Sequence, residues 1–200
     1  GNYIYTVTDA HGCSDTASIV ITQPNQLTAV ATILSPIACF GGQAQVNITA
    51  SGGVAPYTGT GNFYVSAGNQ SFTVTDANGC AFVLSLNIQQ PAQLFTIITP
   101  TQVTCFGAGN GTATVNVLGG TPGYQYQWSN GATTAINSGL VPGLYTVNVT
   151  DTNGCQTSNQ VTITQPTALS VSAALSSPVF CFGGNAVVSI SAAGGTPNYL

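Results

Sequence analysis

Four short motifs recur along this chain in a fixed order, and their spacing restricts the fold to a tandem array of small units. "TDAHGC" begins at Thr8, "TDANGC" at Thr75 and "TDTNGC" at Thr150, so Asp9, Asp76 and Asp151 stand 67 and 75 residues apart. A Gln-Pro pair follows each copy at the same two spacings: Gln23-Pro24, Gln90-Pro91 and Gln165-Pro166. "CFG" begins at Cys39, Cys105 and Cys181. A "GG…P.Y" block follows each of these: Gly52-Gly53…Pro56-Tyr57, "GGTPGY" at 119–124 and "GGTPNY" at 194–199. Series that advance together mark tandem repeats. The boundaries fall at the Gln-Pro pairs, because proline cannot extend the ladder of the strand before it. Residues 1–24 are then the C-terminal part of one repeat, 25–91 a complete but shortened repeat, 92–166 a complete repeat, and 167–200 the N-terminal part of the next. The chain starts and stops in mid-pattern, so it reads as a window on a longer polypeptide, with any targeting segment outside it.

Each repeat reads as all-β. "GLYTVNVT" (143–150) alternates, with Tyr145, Val147 and Val149 on one side. "TATVNVLGG" (112–120) alternates Ala113, Val115 and Val117, "YQYQWSNG" (124–131) places Tyr124, Tyr126 and Trp128 on one face, and "QVTITQP" (160–166) gives Val161 and Ile163. Period-two patterns bounded by Gly, Pro and Asn predict half-buried strands. Leu140, Gly143 and Tyr145 have the L-x-x-G-x-Y arrangement of an immunoglobulin tyrosine corner. Gly1 and Tyr3 repeat its end, and the second repeat degrades it to Val65, Gly68 and Gln70. The fold class expected is tandem immunoglobulin-like β-sandwiches stacked head to tail. The second repeat lacks the "WSNGATT" segment, with Gly59 and Gly61 aligned to Tyr126 and Trp128, which predicts a thinner middle strand or hairpin and a smaller core.

Composition removes several functions. There is no Lys, Arg or Glu, and the only acids are Asp9, Asp15, Asp76 and Asp151. A surface without cations cannot bind nucleic acid or anionic lipid electrostatically. No apolar run approaches the length of a membrane helix, so no direct membrane insertion is expected. At 44% hydrophobic the chain has the material for packed cores, and its polar residues are those of strands and tight turns.

The string "CFGAGNGTATVNVLGGTPGYQYQWSNGATT…GLYTVNVTDTNGC…VTITQP" resembles the SprB repeat of Bacteroidota surface adhesins. The resemblance extends along the whole chain, more closely in the third repeat than in the second. It implies very long, secreted, filamentous cell-surface proteins, some of which are adhesins moved in gliding motility and exported by the type IX secretion system.

Cys13, Cys80 and Cys155 follow the Asp-Gly turn, and Cys39, Cys105 and Cys181 open "CFG". Paired cysteines in each repeat of an exported chain read as structural disulfides. There is no C-x-x-C, and one histidine cannot supply a zinc site per repeat. Two pairings compete. Modularity gives Cys39–Cys80 and Cys105–Cys155 within repeats. An immunoglobulin-like topology in a head-to-tail stack favours Cys39–Cys155 instead, with every other partner outside residues 1–200, because it places "CFG" and "NGC" at opposite ends of one sandwich. Those ends are a strand length apart, roughly 20 Å, whereas bridged Cα atoms lie within about 7 Å.

Other candidates have plainer readings. Asp9, Asp76 and Asp151, with Gly12, Gly79 and Gly154 three residues on, fit a tight turn in which Asp caps its own backbone and Gly supplies positive φ. One carboxylate per repeat is too few for a calcium cage. His11 beside Cys13 and Asp15 suggests a Cys-His pair, but the matching residues are Asn78 and Asn153, so it fills an ordinary turn slot. Tyr124, Tyr126 and Trp128 are a core face or, alternatively, a sugar-stacking platform. "DTA" (15–17) resembles a short O-glycosylation signal.

The expectation is a stiff, disulfide-stabilised stalk segment of an extracellular, cell-surface filament. It has no catalytic residues, metal or cofactor, and its partners are the neighbouring repeats of its own chain. Each repeat should add roughly 30–40 Å. Lateral self-association or surface glycans are further partners, and a carbohydrate- or partner-binding module is the alternative.

Overall fold

The computed structural model describes residues 1–200 and consists of strands and turns alone. It divides into two units. The first comprises Gly1–Ile37 and Gly41–Gln90, and the second Ala38–Phe40 and Pro91–Leu200.

In the first unit, β1 (Asn2–Thr8) and β2 (Ser14–Val20) form an antiparallel ribbon through the "TDAHGC" turn. β3 (Thr28–Ser35), β4 (Ala44–Ser51) and β5 (Gly61–Val65) form one sheet in the order β3-β4-β5. β6 (Gly68–Thr75) and β7 (Ala81–Ile88) form a second. Val46 and Ile48 of β4 meet Val74 of β6 and Ile88 of β7 in the core between the sheets.

The second unit holds the fuller repeat. β8 (Phe95–Thr101), β9 (Gly111–Leu118) and β11 (Ile136–Leu140) make one sheet in the order β11-β9-β8. β10 (Gln125–Trp128), β12 (Gly143–Thr150) and β13 (Gln156–Ile163) make the other, in the order β10-β12-β13. The alternation in β9 and β12 does what it should: Ala113, Val115, Val147 and Val149 are all buried, with Trp128, Leu140 and Ile163 closing the core. Each complete repeat is thus an immunoglobulin-like β-sandwich. β14 (Ser170–Ser177) and β15 (Val187–Ala193) pair as a final ribbon.

Tyr145 makes the corner contact expected of it, its hydroxyl donating to the Val141 carbonyl at 3.0 Å. In the first unit Gln70 takes over the role, its side-chain amide donating to the Ser66 carbonyl, also four residues upstream, at 3.0 Å. The shortened repeat departs further from expectation. The counterpart of β10 is not a thin strand but a single bridge between Thr58 and Thr75. Gly61 belongs to β5, which pairs with β4 as β11 pairs with β9. With no indole in this repeat, Phe63 and Phe72 pack half-buried against the core, their rings 5.6 Å apart.

Candidate functional site

The site to explain is the Asp-Gly-Cys turn with what it touches. In each copy the aspartate N–H donates to the cysteine carbonyl, at 2.9 Å for Asp9, 3.0 Å for Asp76 and 2.9 Å for Asp151. The glycine N–H returns to the aspartate carbonyl. Gly12, Gly79 and Gly154 have φ of 86°, 81° and 83°, the left-handed conformation that glycine adopts without penalty. One carboxylate oxygen caps the turn. Asp151 Oδ1 accepts from Asn153 N and Cys155 N at 2.9 Å each. Asp76 Oδ1 does the same with Asn78 N and Cys80 N, and Asp9 Oδ1 with His11 N and Cys13 N. His11 therefore enters the turn through its backbone, as the two asparagines do.

The second oxygen reaches a different motif. Asp151 Oδ2 accepts from Thr121 N at 2.8 Å, and Asp76 Oδ2 from Val54 N at 3.0 Å. Thr121 and Val54 directly follow the Gly-Gly pairs. A Cβ on Gly120 would stand 2.8 Å from Asp151 Oδ2, and one on Gly53 2.7 Å from Asp76 Oδ2. The paired glycines are thus what lets the carboxylate approach. The block then closes on itself, with Tyr124 Oη donating to the Gly119 carbonyl at 2.8 Å and Tyr57 Oη to Gly52 at 2.6 Å.

Both bridging carboxylates are buried. At Asp151 the Thr121 N–H lowers the carboxyl pKa below its ordinary 3.8; burial opposes this, and the Cys155 and Asn153 N–H groups add to the lowering. At Asp76 burial pushes the pKa up, and the N–H groups of Cys80, Val54 and Asn78 together outweigh it, so the net direction is again down.

The remaining two motifs also bond to each other. Gly41 N, in "CFGG", donates to Gln90 Oε1 at 2.8 Å, and Gly107 N to Gln165 Oε1 at 2.8 Å. Gln90 and Gln165, the glutamines of the second and third Gln-Pro pairs, therefore each hold the "CFG" loop of their own repeat. Neither this link nor the carboxylate-to-glycine link follows from reading one motif alone. The signal for both was the joint advance of the series.

Cys39 is bonded to Cys155, with S–S 2.01 Å and Cα atoms 5.6 Å apart, across a sequence separation of 116. Asn153 Nδ2 donates to the Ala38 carbonyl at 3.0 Å, so the "CFG" segment is held by its backbone as well as its sulfur. The within-repeat pairs Cys39–Cys80 and Cys105–Cys155 are not formed. Cys13, Cys80, Cys105 and Cys181 are free and exposed. The favoured pairing expects this one bridge within the chain, with the partners of the other four cysteines outside it. The observed bond joins a "CFG" cysteine to the turn of the following repeat, and within residues 1–200 only Cys39 and Cys155 stand in that relation.

The aromatic face resolves into core. Trp128 is 2% exposed, and its indole N–H donates to the Thr134 carbonyl at 3.0 Å. Tyr124 and Tyr126 pack half-buried against the same cluster. A sugar-stacking platform built on Trp128 is excluded by that burial. No three His, Cys, Asp or Glu side chains are grouped closely enough to hold a metal ion.

Residues 97–133 match the family model described as SprB repeat. No curated protein matches the chain. Among solved structures, the chain is similar to a C-terminal 282-residue fragment of intimin in complex with the intimin-binding domain of the translocated intimin receptor. The likeness is at 10% identity and a TM-score of 0.37, covering 75% of this chain and 67% of that one.

Proposed function

We propose, from the SprB repeat that residues 97–133 carry, that this chain is a stalk segment of a secreted adhesin on a bacterial cell surface, serving reach and durability and not catalysis. The observation that carries the reading is the sulfur bond from the "CFG" cysteine of one sequence repeat to the turn of the next. A module built for ligand recognition varies its loops. Here the recurring loop residues are spent on backbone links: aspartate to glycine pair, glutamine to "CFG", tyrosine to glycine carbonyl. The sole histidine occupies a slot that its sibling turns fill with asparagine, which argues against a nucleophile–base pair. The likeness of residues 97–133 to the SprB repeat is what supports adding type IX export and a part in gliding motility to this reading.

Immunogold labelling of intact cells with an antibody to residues 25–166 tests this. Gold arrayed along fibres projecting from unpermeabilised cells is the expected result. Labelling that requires permeabilisation would overturn it.

A further inference from the structure

The turn at Cys80 has counterparts of the residues around the turn at Cys155, without the "CFG" segment that is bonded there. At Cys155, the "CFG" segment is held by the sulfur bond to Cys39 and by Asn153 Nδ2 donating to the Ala38 carbonyl, and Cys39 and Phe40 line a cleft of about 390 Å³ together with Gln93, Leu94, Gly154 and Gln156. At the corresponding place in the first unit is an open cleft of about 470 Å³, lined among others by Gln26, Leu27, Gly53, Cys80, Ala81 and Phe82. Gln26 and Leu27 correspond to Gln93 and Leu94 at the 67-residue spacing, and Cys80 to Cys155 at the 75-residue spacing. The backbone of the turn is set identically, by Asp76 in one and Asp151 in the other. Asn78 holds the place of Asn153, the residue that donates to the Ala38 carbonyl. The thiol of Cys80 is free and exposed.

We infer that the Cys80 cleft is the docking site for a Cys-Phe-Gly loop. Its occupant is the "CFG" loop of the repeat whose C-terminal part is residues 1–24, seated as Ala38–Phe40 is seated at Cys155. The direction follows from the bond present: the loop comes from the repeat before the turn, never from the same one. In the cross-link the two thiols lose two protons and two electrons to a disulfide-type oxidant, and a bond forms between the loop sulfur and Cys80 Sγ. The inference rests on the stalk reading only for the source of the loop. The recognition itself is a property of the cleft.

The test uses the whole 200-residue chain and a nonapeptide with the sequence of residues 35–43, SPIACFGGQ, its cysteine activated as a thionitrobenzoate mixed disulfide. Cys80 thiolate attacks the peptide sulfur, the new disulfide forms, and thionitrobenzoate leaves with the electron pair. Docking should raise the effective concentration at this one thiol, so Cys80 should be labelled about tenfold faster than Cys105 or Cys181. Cys13 is the sharper control, because its aspartate caps the same turn while no Gly-Gly wall faces it. The reversed peptide, with the same composition, should label all four thiols alike. Asn78→Ala should slow labelling of Cys80 without moving the melting temperature. Equal rates at all four cysteines with the forward peptide would overturn the inference. Covalent dimers through Cys80 that outcompete the peptide would overturn its source, making the occupant a second copy. A failed immunogold experiment would leave these rates untouched, so the two readings fail separately.

Discussion

Asp151 is a small anion held by three backbone N–H groups, two from its own turn and one from the loop after Gly120. Because the native carboxyl titrates below 3.8, the unfolded state takes up the proton first as the pH falls. The stability it contributes is therefore complete above that value and is lost as the pH descends through the lower native pKa. Asp76 behaves with the same sign. Asp151→Asn should lower the melting temperature of the second unit at neutral pH and flatten its decline below about pH 4, read by circular dichroism. The partner residue gives a second check. Gly120→Ala meets a φ of +62° as well as contacts of 2.8 Å to Asp151 Oδ2 and 2.9 Å to Leu94 Cδ1. Gly154→Ala meets a positive φ of 83° with nothing within 4 Å. The first should cost about 1–3 kcal/mol in urea denaturation and clearly more than the second. The sequence made the turn residues legible, since Asp and Gly at that spacing have a local explanation. The link across 30 residues from Asp151 to Thr121 was hidden, because a long-range acceptor has no local signature.

At the scale of elements, the strands that alternate were readable and those that do not were missed. β9 and β12 carry apolar residues at alternate positions and bury Ala113, Val115, Val147 and Val149. β11 was invisible because "INSGL" does not alternate. Its register with β9 shifts between Ser138 and Leu140, around Gly139 at a φ of 72°. The aromatic strand gave its residues but not its whole role: Trp128 is the keystone of a six-stranded sandwich, and its loss from the shortened repeat removes a strand. Trp128→Ala should cost about 3–5 kcal/mol, visible as a lower unfolding midpoint for the second unit alone. Tyr145→Phe removes a single hydrogen bond to Val141 and should cost about 0.5–1.5 kcal/mol. Gln70→Ala, which deletes the substitute bond to Ser66, should fall in the same range.

For the molecule as a whole, the absence of Lys and Arg leaves burial, strand ladders and the sulfur bond to hold the fold. It also leaves trypsin no peptide bond to cut. Trypsin should release no fragment even after the chain is denatured and reduced, as a gel would show. Chymotrypsin digestion without reductant should yield a linked peptide containing Cys39 and Cys155, and a Cys39–Cys80 peptide would contradict the structure. That bond has a mechanical consequence for a chain pulled from its two ends. Tension entering at Gly1 crosses from Cys39 to Cys155 through sulfur, and the intervening residues carry no covalent load. With a separation of 116 residues, the fully drawn-out chain should be about 400 Å shorter oxidised than reduced, a difference an optical trap would read as missing contour length. A strand of such repeats would yield under load only where no sulfur spans it, and would stop lengthening long before its sequence was exhausted.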